Sequence, residues 1–460
     1  MRPIFAMIWL TWKAALRVRL VWVLTALLMS SVALLPLLVK DDGTARGFIQ
    51  ILLTYTLSVI TALLGFTTIW LACGSLARDV EDCQIQMVAV KPIARWQIWL
   101  GKWLGIVLIN ALLLAISGTG VYVLLNWRAS QLSPGQQAIL HNEVFVARSA
   151  LKEQPTDYTK EIDTLVSQKL RENQTTSLDA SLLRKQIEAQ VKAREQIVPP
   201  NYMRAWNIDL GVRRLTLKDQ PLYVRVKFFV AQTNETASYA TEWQIGPPET
   251  EKQKVRPLSL SAESFHEFEI PPNLFDDTGR LTIRAVNRSE VAMLFPLDET
   301  LEVLYREGGF ALNFMRGLVV ILFWLALLAA LGLTAASFLS FPVAAFFSLA
   351  MLLIGLSSST LETAIEQNTV LGQINSNTGA ADQQTIIDHL MLPLFRGMLT
   401  IVKLAESFSP IDSLSSGRSI TWYELAQAFA QIVLLLGGII GGIGAVVFTR
   451  RELATAQGTN

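Results

Sequence analysis

The run Leu312–Leu339, LNFMRGLVVILFWLALLAALGLTAASFL, decides the fold class, because it contains a single charged residue, Arg316. About 20 consecutive apolar residues are enough for a helix to cross the hydrocarbon core of a bilayer. Other runs of this kind occur on both sides of it, and the sequence therefore predicts six membrane spans. These are Leu20–Val39, Ile49–Ala77, Trp103–Trp127, Leu312–Leu339, Phe341–Ser359 and Leu425–Thr449.

The composition agrees with a membrane protein and excludes several other classes. Of 460 residues, 51% are hydrophobic and only 17% are charged, against about 25% charged in soluble proteins. The net charge of +1 and the lack of a basic domain give no indication of nucleic-acid binding. Cys73 and Cys83 lie outside the long polar block, and the three histidines are far apart. We therefore expect neither a disulfide framework there nor a Cys/His metal site.

One polar block, residues 128–308, separates the first three spans from the last three. Residues 1–127 are predicted to hold the first three spans, preceded by a helix over Pro3–Arg19 with apolar and basic faces. This helix fits the membrane interface, although it also fits the start of a long first span. Residues 309–460 hold the last three spans and a second external segment, 360–422, in which Ile386–Phe408 is amphipathic.

The polar block has two parts. Residues 133–198 are charged and helix-like, and Ser133 followed by Pro134 is typical of a helix start. Residues 206–305 contain short alternating runs such as LYVRVKFFV at Leu222–Val230, separated by turn sequences; this pattern indicates an antiparallel β-sandwich. The predicted fold class is a polytopic α-helical membrane protein with six transmembrane helices and an α+β external domain containing that sandwich.

Lysine and arginine positions set the predicted orientation, because cytoplasmic loops carry an excess of both. One side of the membrane carries ten lysines and arginines beside the span ends, whereas the short loop between the first two spans, on the other side, carries only Lys40 and Arg46. We therefore expect both termini in the cytoplasm and residues 128–308 in an external or periplasmic position. The residues of the basic side are Arg2, Lys13, Arg17, Arg19, Arg78, Lys91, Arg95, Lys102, Arg450 and Arg451.

The segment between spans two and three, 78–102, reads RDVEDCQIQMVAVKPIARWQIWLGK. It has an acidic turn, then an apolar helical run, then Pro92 and a second helix that enters the third span. One interpretation is a short helix presented to a cytoplasmic partner, and the other is an ordinary interfacial connector with positive-inside charges. The residues alone do not separate the two.

This order of features resembles the connector between spans two and three of ABC type-2 permeases, the membrane subunits of ATP-driven exporters. The resemblance covers the six spans and does not extend to the polar block, because spans three and four of that family form a short hairpin. Four further stretches resemble the same family: Ile8–Leu24, Leu331–Val343, Phe408–Asp412 with Ser419–Glu424, and Phe448–Leu453.

The resemblance implies that Glu81–Val90, hereafter the coupling segment, forms a helix that docks on a separate ATP-binding cassette subunit. The chain has no Gly-x-x-x-x-Gly-Lys-Ser/Thr phosphate loop, so ATP and Mg²⁺ are expected in that subunit, and this chain is not expected to be an enzyme. The implied assembly is a homodimer, or a pair with a related permease, in the cytoplasmic (inner) membrane among its lipids. The residues predicted to contact the ATPase are Glu81, Asp82, Ile85, Met87, Val88, Val90 and Arg95.

Three functional hypotheses follow. The first is the permease subunit of an ABC exporter. The second is a membrane-anchored assembly or mechanotransmission protein, which acts on an envelope partner through the β-sandwich and moves no solute. The third is a stand-alone sensor without an ATPase.

Two smaller motifs have simpler interpretations. Gly437, Gly438, Gly441 and Gly442 place small residues at four-residue spacing in the last span, which permits close helix packing within one subunit or between two. Asp276 and Asp277 lie in a turn sequence, which indicates a solvated turn rather than a calcium or catalytic site.

Overall fold

The protein is described from a computed structural model. Its chain divides into two compact units, Met1–Ala147 with Gly308–Asn460, and Arg148–Glu307, which we call the membrane unit and, after the position predicted for it from the sequence, the external unit. The structure describes residues 2–17, 19–38, 45–82, 93–154, 157–172, 180–230, 238–248, 250–297, 301–356, 365, 386–406 and 408–451.

The membrane unit is built from helices. Its last helical stretch, Trp422–Arg450, passes through a π-helical segment at Phe429–Gly437. The helices are α1 (Arg2–Arg17), α2 (Arg19–Leu38), α3 (Ala45–Glu81), α4 (Arg95–Ser130), α5 (Pro134–Glu143), α9 (Phe310–Ala336), α10 (Phe341–Leu356), α11 (Ile386–Glu406), α12 (Pro410–Ser415), α13 (Trp422–Ala428) and α14 (Gly438–Arg450).

Four helical stretches among the described residues are long and apolar enough to cross a membrane: Gly47–Glu81, Arg95–Ser130, Phe310–Ala336 and Trp422–Arg450. A fifth span results if α1 and α2, which meet at a bend of 75°, count as one. Helix α10 is equally apolar but shorter. The chain is therefore an α+β membrane protein, as the apolar runs predicted.

Helix α9 lies at the centre of this unit. Its small residues Ala329 and Ala330 are buried, and a Cβ atom on Gly332 would lie 2.7 Å from the Cβ atom of Ala72 in α3. Small side chains let helix backbones approach closely, so van der Waals packing stabilises the contact without a hydrophobic driving force from lipid. The indole Nε1 of Trp103 in α4 also donates to the Ala326 carbonyl at 2.9 Å.

At the other end of α9, a buried asparagine fixes the approach to the last span. The Asn313 side chain donates to the Arg418 carbonyl at 2.7 Å and accepts from the Ile420 amide at 2.7 Å. Directly after Ile420, Thr421 and Glu424 form a capping box at the start of α13. The Asn313 side chain thus holds the loop before the last span on α9 through hydrogen bonds to two backbone groups of that loop. A polar side chain inside an apolar unit is expected to be paired in this way.

Helix α1 packs along α4 through two close contacts. A Cβ atom on Gly105 would lie 2.8 Å from the Thr11 Cβ atom, and one on Gly101 would lie 2.5 Å from the Met7 Cβ atom. The opposite face of α1 exposes Phe5, Trp9 and other large apolar side chains. Lys13 lies on this exposed face too, 5.5 Å from the centroid of the Trp9 ring, so the two faces differ in packing, and the predicted separation of apolar from basic residues stays a prediction.

The external unit contains most of the strands. Two four-stranded sheets have the orders β1-β11-β4-β8 and β3-β9-β6-β7, and a three-stranded sheet has the order β2-β10-β5. The strands are β1 (Val146–Leu151), β2 (Ile197–Val198), β3 (Met203–Asp209), β4 (Leu222–Val226), β5 (Phe229–Val230), β6 (Ser238–Ile245), β7 (Lys254–Ser261), β8 (His266–Ile270), β9 (Arg280–Asn287), β10 (Met293–Leu294) and β11 (Leu301–Gly309). Helices α6 (Thr159–Glu172), α7 (Ala180–Gln196) and α8 (Arg214–Leu217) complete it.

Both four-stranded sheets contribute to one hydrophobic core. The ring of Trp243 in β6 lies 5.4 Å from that of Phe268 in β8, between centroids. Alternate residues are buried in β4, where Leu222, Val224 and Val226 are inside, and in β6, whereas β11 buries the consecutive residues Leu301–Tyr305. In β4 and β6 the period of two that predicted strands over residues 206–305 is therefore the period of burial.

Two parts of the predicted helical region are different. The described residues of 133–198 contain three helices, but Val146–Leu151 is strand β1, at the edge of a sheet beside β11, and Ile197–Val198 is strand β2, beside β10. The prediction of a helical segment is wrong at both strands, because each is defined by pairing with residues far away in the sequence. In the second external segment, α11 coincides with the predicted amphipathic run, while residues 366–385 lie outside the described part.

Candidate functional site: the helix ends that flank the coupling segment

The coupling segment lies between the end of α3 and the start of α4. Helix α3 ends at Glu81, and the Asp82 amide donates to the Arg78 carbonyl at 2.8 Å. Helix α4 begins at Arg95 after Ala94 in extended conformation. Of the predicted contact residues, Glu81, Asp82 and Arg95 are described. The others, Ile85, Met87, Val88 and Val90, lie outside the described residues.

Glu81 makes a hydrogen bond within the chain. Its Oε1 atom accepts from the backbone amide of Phe341, the first residue of α10, at 2.9 Å. A carboxylate at a helix N-terminus satisfies a free amide and complements the helix dipole. The guanidinium of Arg78 lies over the Phe341 ring at 4.2 Å. Glu81 therefore joins α3 to α10, a role that its position in the sequence did not reveal.

Arg95 also binds inside the chain. Its Nη1 atom donates to the Thr449 carbonyl at 2.9 Å and to the Arg451 carbonyl at 2.7 Å, at the end of α14. Arg451 in turn donates to the Ser337 carbonyl, just after α9, at 3.0 Å. Arginine side chains at helix C-termini pair with carbonyls that have no partner in the helix. These bonds connect the start of α4 to the ends of α9 and α14.

A buried lysine forms the third connection. The Lys102 Nζ atom lies 2.6 Å from Asp79 Oδ2, with side-chain exposures of 5% and 32%, and donates to the Ser75 carbonyl at 2.5 Å. Sequence reasoning counted Lys102 only among the positive-inside charges and missed this pair. The sequence does contain a signal for this pair, because a lysine two turns inside α4 follows an acidic residue near the end of α3.

Together these bonds join α3, α4, α9, α10 and α14 at one end of the membrane unit. Asp82 is exposed there, so it remains accessible to a partner, whereas Glu81 and Arg95 are already bonded within the chain. The hydrogen bonds and the ion pair therefore tie the helix ends on both sides of the coupling segment to three other helices. No group of three or more potential metal ligands exists among the described residues.

The glycines of the last span have different surroundings. A Cβ atom on Gly441 would lie 2.7 Å from Trp99 Cη2 in α4, and one on Gly437 3.3 Å from the Ile432 carbonyl. Gly438 and Gly442 have nothing within 4 Å of such an atom. Within the chain, the close approach between helices α4 and α14 is therefore made by Gly441.

No protein-family model, curated protein or solved structure matches this chain.

In the external unit, Asp276 is used by its own turn. Its Oδ1 atom accepts from the Thr278 amide at 3.0 Å, from the Thr278 hydroxyl at 2.7 Å and from the Arg280 amide at 2.8 Å. These bonds, led by that of the hydroxyl, lower the pKa of the Asp276 carboxyl below its ordinary 3.8. The carboxylate is a turn-forming group, in agreement with the solvated turn that the sequence indicated.

Proposed function

We propose that this protein is the membrane-spanning permease subunit of an ATP-driven exporter of the ABC type-2 kind. A separate ATP-binding subunit would dock on the coupling segment, hydrolyse ATP and drive export across the cytoplasmic membrane. In this proposal the chain crosses the membrane six times, with both termini in the cytoplasm. Helices α2 and α10 provide the two spans beyond the four long helical stretches, and residues 128–308 form an external, sandwich-like domain.

The observation that supports the proposal most is that the helix ends before and after the coupling segment are hydrogen-bonded to other helices. Glu81 bonds to the start of α10, and Arg95 bonds to the end of α14. A docking segment without such connections would move without moving the spans. The chain itself lacks a phosphate loop, so the energy source would be the partner.

A co-purification experiment tests the proposal. The tagged full-length chain is isolated from its native membranes in mild detergent, and ATP hydrolysis and labelling of a second polypeptide by an azido-ATP analogue are measured. Asp82→Lys combined with Met87→Asp places two charges in the predicted interface. Changes at central interface residues cost about 2 kcal/mol or more, so we expect a loss of at least about 30-fold in retained ATPase.

The control is Asp219→Lys, which reverses an exposed charge in the external unit and leaves the coupling segment intact. Retention of an ATP-binding polypeptide by the wild type and the control, but not by the double variant, supports the proposal. Equal retention by all three proteins, or none by the wild type, contradicts it.

The second candidate, a mechanotransmission protein acting on an envelope partner, is favoured by one observation. Strand β11 ends at Gly309 and α9 begins at Phe310, so no loop residue separates the strand from the span. An ATP-dependent change in amide hydrogen exchange in β11, in a complex that moves no solute across proteoliposomes, would favour this candidate over export.

A further inference from the structure

A cavity of about 550 Å³ lies in the membrane unit between α1, α3 and α4. One part of its wall is apolar and is formed by Leu10, Trp70, Leu71 and Ile106. The other part carries charged side chains from the ends of α1 and α3. A volume of several hundred Å³ with both kinds of wall is typical of a site for an amphipathic small molecule.

The charges in the cavity leave an excess of cations. Lys102 is neutralised by Asp79 at 2.6 Å. The remaining lining groups are Lys13, Arg17 and Arg78 against the single carboxylate of Asp82. Among the described residues these three cations form no salt bridge with a carboxylate.

Two of the cations lie on aromatic faces. Lys13 lies 5.5 Å from the centroid of the Trp9 ring, and Arg78 lies 4.2 Å from that of Phe341. Such contacts orient a cation but leave its charge in place. The cavity therefore keeps a positive potential that an anionic ligand would neutralise.

The position of the cavity restricts the ligand further. It opens beside α1, whose outer face exposes Phe5, Trp9 and Leu16, as expected of a helix in the membrane interface. Positively charged groups at this depth attract anionic lipids of the adjacent leaflet. A ligand here must carry a negative group for Lys13 and Arg17 and an apolar group for the wall around Leu71.

We propose that this cavity binds one anionic phospholipid. Its phosphate faces Lys13, Arg17 and Arg78, and part of one acyl chain lies against Leu10, Leu71 and Ile106. The bound lipid joins α1 to the end of α3, next to the coupling segment. This site does not depend on the ATPase partner, so it stands or fails separately from the proposed function.

Lipid retention by the purified full-length chain tests the site. The protein is exchanged into mixed micelles containing equal amounts of phosphatidylglycerol and phosphatidylcholine, and bound lipid is measured by native mass spectrometry. Lys13→Gln with Arg17→Gln removes two cations and should weaken phosphatidylglycerol binding by about 30-fold. Arg450→Gln with Lys218→Gln removes two exposed charges elsewhere and should leave the binding unchanged.

A second variant excludes an effect of charge alone. Ala14 lines the cavity and is exposed on α1, so Ala14→Trp fills the cavity with little disturbance of the helix and should reduce retention to the same extent. Excess inorganic phosphate should neither displace the lipid nor raise the thermal stability of the lipid-free protein. The proposal is overturned if the wild type retains both lipids equally, if Ala14→Trp retains phosphatidylglycerol, or if inorganic phosphate competes as well as the lipid.

Discussion

Removal of the Asp79 carboxylate should destabilise the membrane unit more than removal of its partner charge. Lys102 is 5% exposed and Asp79 is 32% exposed, so Asp79→Asn leaves a buried ammonium whose acceptors are the Ser75 carbonyl and a neutral amide oxygen. Breaking a fully buried pair in this way costs about 3–5 kcal/mol. Partial exposure of Asp79 lets water screen the pair, which reduces the expected cost to about 2–3 kcal/mol.

The reverse change is milder. In Lys102→Met the remaining Asp79 carboxylate reaches solvent, and the expected cost is about 1 kcal/mol. The double variant Asp79→Asn/Lys102→Met has no buried charge, so it should resemble Lys102→Met. This gives a coupling of about 2–3 kcal/mol between the two positions.

The buried thiol of Cys73 in α3, which is 0% exposed, reports unfolding. In a Cys83→Ser background it is the only cysteine of the chain, and a thiol-reactive fluorogenic dye labels it as the helices separate on heating. If Asp79→Asn and Lys102→Met destabilise the protein equally, or if the cost of the double variant is the sum of the two, then Lys102 does not depend on Asp79 in the way described.

Three further predictions use the same thiol assay or amide hydrogen exchange. Gly441→Leu should lower the thermal midpoint by the equivalent of about 1–3 kcal/mol, because Trp99 already fills the space beside Gly441. Gly442→Leu should leave the midpoint unchanged, and equal effects of the two changes would contradict the packing described. Asn313→Leu should cost about 2–4 kcal/mol, because two backbone groups in the loop before the last span lose their partner; a loss below about 1 kcal/mol would show that these groups find other partners. Asp276→Ala should speed amide exchange at Thr278 at neutral pH, because the carboxylate no longer accepts from that amide. The exchange rates of wild type and variant should converge as the pH falls through the lowered carboxyl pKa, below 3.8. Unequal rates in acid would contradict this prediction.

The membrane helices were largely predictable because their signal is local. An apolar run such as Leu312–Leu339 must be helical in lipid, since every backbone group has to be paired within the segment. The alternating run at Leu222–Val226 indicated a strand for a similar reason, because one face of the strand is buried. Strand β1 at Val146–Leu151 was missed because its pairing partner, β11, lies more than 100 residues away.

The candidate site was predictable only in part. The position of the coupling segment follows from the order of residues along the chain. The bond between Glu81 and the Phe341 amide does not, because it joins residues 260 positions apart. The same holds for Arg95, whose partners Thr449 and Arg451 lie near the other end of the sequence. Charge and spacing identify candidates, whereas three-dimensional packing decides which of them are used within the chain and which, like Asp82, remain accessible.

Photocrosslinking from Cys83, a natural residue of the coupling segment, tests whether this segment docks on a separate ATP-binding subunit. In a Cys73→Ser background, a photoreactive maleimide is attached to Cys83 in native membranes, and adducts are identified after illumination with and without ATP. If the coupling segment docks on an ATPase, an adduct forms with a separate polypeptide that binds ATP, at a yield that changes on ATP addition. An efficiently labelled chain that forms adducts only with lipid, or with proteins that bind no ATP, would contradict such docking.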